Sequence, residues 1–68
     1  MTLKDLSEVL DTFADAYVVT EIYKSTGTEI GFWWDERHND GNFETYINRH
    51  IDFISTDDDS AKMVIYLK

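Results

Sequence analysis

Apolar residues recur at helical spacing near the start of the chain. Over residues 3–14 they form one stripe, while acidic residues take the opposite side. The stripe consists of Leu3, Leu6, Leu10, Phe13 and Ala14. Thr2 is followed three residues later by Asp5, which is the pattern of a capping box at a helix start. We predict an amphipathic helix over residues 3–14 that begins at Thr2 or Leu3 and buries its apolar stripe.

Four later segments have the composition of β-strands, because β-branched and aromatic residues crowd together in them. They span residues 16–24, 28–35, 51–55 and 61–67. A turn at Ser25, Thr26 and Gly27 joins the first two strands into a hairpin, with Gly27 free to adopt a positive φ. An acidic connection over residues 56–60 joins the last two strands into a second hairpin.

The link between the hairpins is mostly polar. Residues 36–42 contain no apolar side chain and are predicted to form a loop. Residues 43–47 fit a short helix or turn better than a strand. In the last strand, Met63, Ile65 and Leu67 are expected on one face of the sheet, and Val64 and Tyr66 on the other.

These elements predict an α+β fold, in which an N-terminal amphipathic helix packs on a four-stranded, mainly antiparallel sheet made of two hairpins. A chain of 68 residues has room for one small core, so residues 1–68 are predicted to form a single domain. The single helix can cover only one face of the sheet. We expect the largely uncovered face to carry the function.

The chain is strongly acidic, with 6 Lys and Arg against 14 Asp and Glu and a formal charge of −8. This charge would repel phosphates, so we expect no direct binding of nucleic acid or membranes and favour a basic protein surface as the partner. With 43% hydrophobic residues the chain is too apolar for the usual composition of a disordered segment. It has no cysteine, no signal-peptide pattern and no apolar run of membrane-spanning length, which favours a cytoplasmic location.

The candidate partner-binding residues surround two adjacent tryptophans. They are Glu29, Trp33, Trp34, Asp35, Glu36 and Asp40. A strand places Trp33 and Trp34 on opposite faces, so we expect one in the core and the other on the open face or packed under the polar loop. An exposed tryptophan among acids is typical of a hot spot for a basic partner. Carboxylates two residues apart on a strand stand about 6.6–6.8 Å apart, close to the phosphate spacing of a nucleic acid strand.

Candidate catalytic or metal-binding groups are sparse. His38 and His50 could act as ligands or as a base, but their spacing fits no metal motif. The chain has no recognisable nucleophile setting and no Gly-rich phosphate loop, and residues 57–59 lack the ligand pattern of an EF-hand. We predict that the protein is not an enzyme and uses no cofactor or metal.

Part of the chain resembles small acidic proteins encoded by bacteriophages and prophages of Gram-positive bacteria. The similar segments are residues 1–10, 46–51, 54–55 and 62–67. The resemblance implies a phage context, in which proteins of this size and charge often inhibit host defence enzymes. Among them are anti-CRISPR proteins and inhibitors that mimic DNA.

Two functions remain open from the sequence. The first is a non-catalytic phage inhibitor that binds the basic nucleic-acid cleft of a host defence or DNA-processing enzyme. The alternative is a phage accessory protein that acts through a homodimer or another hydrophobic protein contact on the open sheet face. Binding of the first kind should weaken steeply as salt rises, whereas a hydrophobic contact should not.

Overall fold

The fold combines short helices with one sheet, and the computed structural model describes residues 1–57 and 62–68. Helix α1 is Leu3–Ser7 and helix α2 is Asn42–Tyr46, as expected for the short helix in the link. The strands, in chain order, are β1 Ala16–Tyr23, β2 Thr28–Trp33, β3 Ile51–Asp57 and β4 Lys62–Leu67. Short 3-10 segments lie at Trp34–Glu36 and Asn39–Gly41, so β2 ends at Trp33 and the predicted strand over residues 28–35 is two residues too long.

The four strands form one sheet in the order β2-β1-β4-β3. Each hairpin is antiparallel as predicted, but the two hairpins meet through a parallel pairing of β1 with β4, in which Val18 lies opposite Ile65. The sheet is therefore mixed, and the prediction of a mainly antiparallel sheet is wrong. Turn residues fix the direction only of strands that they join, and strand composition carries no signal for how separate hairpins pair.

Helix α1 has only five residues, so the predicted helix over residues 3–14 is too long. Its start is as predicted, because the Thr2 hydroxyl accepts a hydrogen bond from the Asp5 backbone and the Asp5 carboxylate accepts one from the Thr2 backbone. Farther on, the Asp11 carboxylate accepts a hydrogen bond from the Phe13 backbone N–H at 2.8 Å. That bond offers the backbone an alternative to helix, and the segment forms turns instead. The Phe13 side chain is 82% exposed rather than buried.

The core lies between the sheet and the segments that cross one of its faces. Its buried members are Leu3, Leu6, Ala16, Val18, Phe32, Trp34, Phe43 and Ile65, with Leu10, Ala14, Met63 and Leu67 packed against them. Met63, Ile65 and Leu67 thus face the core as predicted, and Val64 and Tyr66 line the opposite face. In the described part of the chain, no helix has the length and apolar character needed to cross a membrane.

The face opposite the core carries aromatic side chains, and none of the helices in residues 1–57 and 62–68 covers it. Gly31 lies on β2, where a Cβ atom would overlap the backbone carbonyl oxygen of Val18. This close approach coincides with an irregularity in the β1–β2 register after Val19. Glycine is therefore required at this position by the close packing of two backbones.

Candidate protein-binding surface

The two tryptophans separate as a strand requires, with Trp34 inside and Trp33 outside. Trp34 is 0% exposed, and its indole N–H donates to the Asp11 carbonyl at 2.9 Å. The Phe43 ring contacts it edge-on, and the Arg37 guanidinium lies 4.7 Å from its ring centroid. Trp33 is 39% exposed on the open face. The expectation of one buried and one outward tryptophan is confirmed, and burial removes the Trp34 side chain from any surface contact.

An acidic depression lies on one side of Trp33. It is a shallow cavity of about 370 Å³ lined by Phe13, Ala14, Asp15, Trp33, Asp35 and Glu36. The turn before β1 supplies the first three residues, and the end of β2 with the following 3-10 segment supplies the others. Two exposed aromatic rings and three carboxylates are thus brought together. Sequence reasoning missed Phe13 and Asp15, because a longer helix would have turned Phe13 inward.

An aromatic groove lies on the other side of Trp33, across the open face. It has a volume of about 590 Å³ and is lined by Tyr17, Glu29, Trp33, Ser55, Thr56, Asp57, Lys62, Val64 and Tyr66. Tyr17 and Trp33 meet edge-on at 5.0 Å between centroids, and Phe53 stacks on Tyr66 at 4.4 Å. Val64 pairs with Tyr17 on one side and Ser55 on the other, so small side chains lie between the two aromatic pairs.

Among the described residues, one basic and two acidic side chains line the groove. The Lys62 ammonium lies 4.9 Å from the Trp33 ring centroid and 5.9 Å from that of Tyr17. It is also 4.0 Å from the Asp57 carboxylate. The Glu29 carboxylate beside the Tyr66 hydroxyl, together with burial, raises the pKa of Tyr66. The groove therefore combines aromatic surfaces with carboxylates, a composition suited to cations.

The structure brings four of the six predicted site residues around one point. Trp33 lines both cavities, with Glu29 in the aromatic groove and Asp35 and Glu36 in the acidic depression. Asp40 is exposed in the loop with φ 56° and lines neither cavity. The groove residues on β1 and β4 could not be assigned to this site from the sequence, because their proximity to Trp33 depends on the parallel pairing of the hairpins.

His38, a candidate ligand or base in the sequence, contacts an exposed carboxylate. His38 pairs with Glu44 at 2.9 Å on the exposed side of α2, and that hydrogen bond lowers the pKa of Glu44. Across residues 1–57 and 62–68, no three His, Asp or Glu side chains are grouped so that they could hold a metal ion. The part of the acidic connection at residues 58–60 lies outside the described residues.

Comparison with protein-family models, with curated proteins and with solved structures finds no match to this chain.

Proposed function

We propose that this protein is a non-catalytic inhibitor that docks on the basic nucleic-acid cleft of a DNA-processing or defence enzyme. The acidic depression is the observation that carries the proposal. There Trp33 and the strongly exposed Phe13 stand beside the carboxylates of Asp15, Asp35 and Glu36. Exposed aromatic anchors surrounded by charge complementary to the partner are the usual composition of a protein-binding hot spot.

Charge selects the kind of partner. The formal charge of −8 would repel a phosphate backbone and would steer the protein toward a basic surface. Clefts that hold nucleic acids are strongly basic, and a protein that fills one blocks the enzyme without chemistry of its own. The assignment to phage inhibitors of the anti-CRISPR or DNA-mimic type rests on the sequence resemblance described above.

A double charge reversal in the acidic depression tests the proposal. In a pull-down from nuclease-treated bacterial lysate, the wild-type bait should retain a nucleic-acid enzyme, and duplex DNA should displace it. The variant Asp35→Lys/Glu36→Lys should lose that enzyme, since each reversal places a cation against a basic surface. Both side chains are exposed, so the fold should survive, which circular dichroism checks.

The matched control is Glu21→Lys/Asp52→Lys, which changes the net charge equally at exposed acids outside both cavities. It should retain the enzyme nearly as well as the wild type. Equal loss with both variants would mean that only diffuse electrostatics attracts the partner. Retention by both variants would rule out the acidic depression as the docking surface.

The uncovered sheet face favours a second candidate function, that of an accessory protein acting through a homodimer. Trp33 and Phe53 are large exposed side chains on this face. Sedimentation velocity at low and high sodium chloride separates the two functions. A hydrophobic dimer should persist or strengthen as salt rises, because screening reduces repulsion between two acidic copies. Docking on a basic enzyme should weaken over the same range.

A further inference from the structure

We propose that the aromatic groove binds an arginine side chain of the basic partner, with the guanidinium stacked on the aromatic walls and paired with Glu29. This inference rests on the proposed function for the basic nature of the partner. It assigns to the groove a role distinct from that of the acidic depression.

The groove already holds one cation of the protein's own. The Lys62 ammonium lies over the Trp33 and Tyr17 rings and beside the Asp57 carboxylate. The face of an aromatic ring attracts a cation through its quadrupole, and a nearby carboxylate adds to that attraction. The internal contact demonstrates that the walls of the groove suit a positive charge.

The charges of the groove leave room for one more cation. Among the described residues, two carboxylates, Glu29 and Asp57, line the groove together with one ammonium, that of Lys62, so acids outnumber cations there by one. Within the described residues, Glu29 forms no ion pair with Lys, Arg or His. Its carboxylate, which raises the pKa of the neighbouring Tyr66, has about four lone-pair sites and can accept further hydrogen bonds.

Arginine fits this arrangement better than lysine. A guanidinium is planar, stacks on aromatic rings, donates two parallel hydrogen bonds to a carboxylate and is less strongly hydrated than an ammonium group. The rings of Tyr66 and Trp33 and the carboxylate of Glu29 line the same cavity. Its volume of about 590 Å³ lies within the range of sites that enclose small groups, so a side chain can enter beside Lys62.

An NMR titration of the full chain with short peptides tests the inference without any partner protein. The probes are acetyl-Gly-Arg-Gly-amide and the same peptide with lysine or citrulline in place of arginine. The arginine peptide should shift the amide signals of Ser55, Thr56 and Val64, which line the groove. Citrulline keeps the shape but lacks the charge, so its peptide should bind about tenfold more weakly, as expected for a charge-assisted hydrogen bond.

Two single variants locate the contact. Glu29→Gln should weaken binding of the arginine peptide about tenfold, while Glu21→Gln, with the same charge change outside the groove, should alter it less than about twofold. Equal effects of the two variants would overturn the assignment to Glu29. Equal affinity for the citrulline peptide would overturn the charge-dependent site, and equal affinity for the lysine peptide would overturn the preference for arginine.

The outcome is separable from that of the proposed function. The variant Asp35→Lys/Glu36→Lys has an intact groove and should still bind the arginine peptide. If this variant no longer retains the enzyme in the pull-down, but the wild type does not bind the arginine peptide, the docking proposal stands and the groove inference fails. If the peptide binds while no enzyme depends on Asp35 and Glu36, the groove inference stands and the docking proposal fails.

Discussion

The burial of single residues in this protein depends on the contacts that each side chain can make. Trp34 can be buried because its indole N–H reaches the Asp11 carbonyl, and a buried indole requires such an acceptor. That contact also fastens the segment after α1 to the start of the link. The next residue toward the N-terminus, Trp33, points to the other face and is half exposed. Consecutive positions of the chain thus hold a core residue and an exposed one.

Gly31 is the position at which a minimal side-chain change should be most damaging. Gly31→Ala should destabilise the protein by about 3 kcal/mol or more, because the new Cβ meets the rigid backbone of Val18. Gly27→Ala meets no atom and strains only the positive φ of 72°, at a cost of about 1–2 kcal/mol. Urea denaturation of both variants measures the difference. Equal losses would contradict the close backbone approach.

The ionisation of Tyr66 depends on one neighbouring residue of the groove, Glu29. The neighbouring Glu29 carboxylate and burial raise the pKa of Tyr66 above its ordinary value of 10.0. The neutral tyrosine is therefore favoured in the folded protein, and its contribution to stability is fully present below pH 10.0 and is lost as pH rises through the raised pKa. Glu29→Gln should lower the pKa of Tyr66 toward its ordinary value by removing the charge. The tyrosine Cζ signal, followed by NMR against pH, measures this, and Glu21→Gln is the control. An unchanged pKa of Tyr66 would show that Glu29 does not face its hydroxyl.

At the scale of elements, the features that depend on residues close in sequence were predicted correctly. The capping box at Thr2, the turn at Gly27 and the alternating faces of β4 all follow from neighbouring residues, and all are confirmed. The end of α1 depended on hydrogen bonds of Asp11, one of them with Trp34, which lies 23 positions away. Hairpin docking likewise depended on packing between distant segments. Local sequence patterns carry no information about those contacts. The predicted length of α1 and the predicted direction of the hairpin pairing were therefore wrong.

The corrected end of α1 changes which truncations should matter. Leu6 is 6% exposed and packs in the core, so Leu6→Ala should cost about 2–5 kcal/mol. Phe13 is almost fully exposed, so Phe13→Ala should change stability by less than about 0.5 kcal/mol. Thermal or urea unfolding tests both. A loss near 2 kcal/mol for Phe13→Ala would indicate that this ring packs in solution as a longer helix would require.

At the scale of the whole molecule, negative charge is the dominant feature. The part of the candidate site formed by Trp33, Asp35 and Glu36 was predictable, because exposed acids beside an outward tryptophan follow from composition and strand alternation. The groove was not, because Lys62 and Tyr66 reach Trp33 only through the parallel pairing of β1 with β4. A surface shared by two hairpins can be predicted only when the direction in which the hairpins pair is known.

The excess negative charge should also set the response of the fold to salt. The Cα atoms have a radius of gyration of 11.5 Å, close to the Debye length of about 8–10 Å at 0.1–0.15 M salt. Among the described residues, Lys and Arg side chains form one ion pair with an acid, Lys62–Asp57, and the formal charge of −8 already includes that lysine. Net repulsion should therefore exceed local attraction, and screening should stabilise the fold.

We accordingly expect the melting temperature at neutral pH to rise as sodium chloride increases from a few millimolar to about 0.2 M. The variant Glu8→Gln/Glu21→Gln removes two exposed charges that make no ion pair among the described residues, so its melting temperature should rise less over the same range. Differential scanning calorimetry measures both, with sucrose in place of salt as a control for effects other than screening. A melting temperature that falls with salt would mean that ion pairs outweigh the repulsion. The proposed steering toward a basic cleft would then have to arise from local charges around Trp33 rather than from the net charge of the whole molecule.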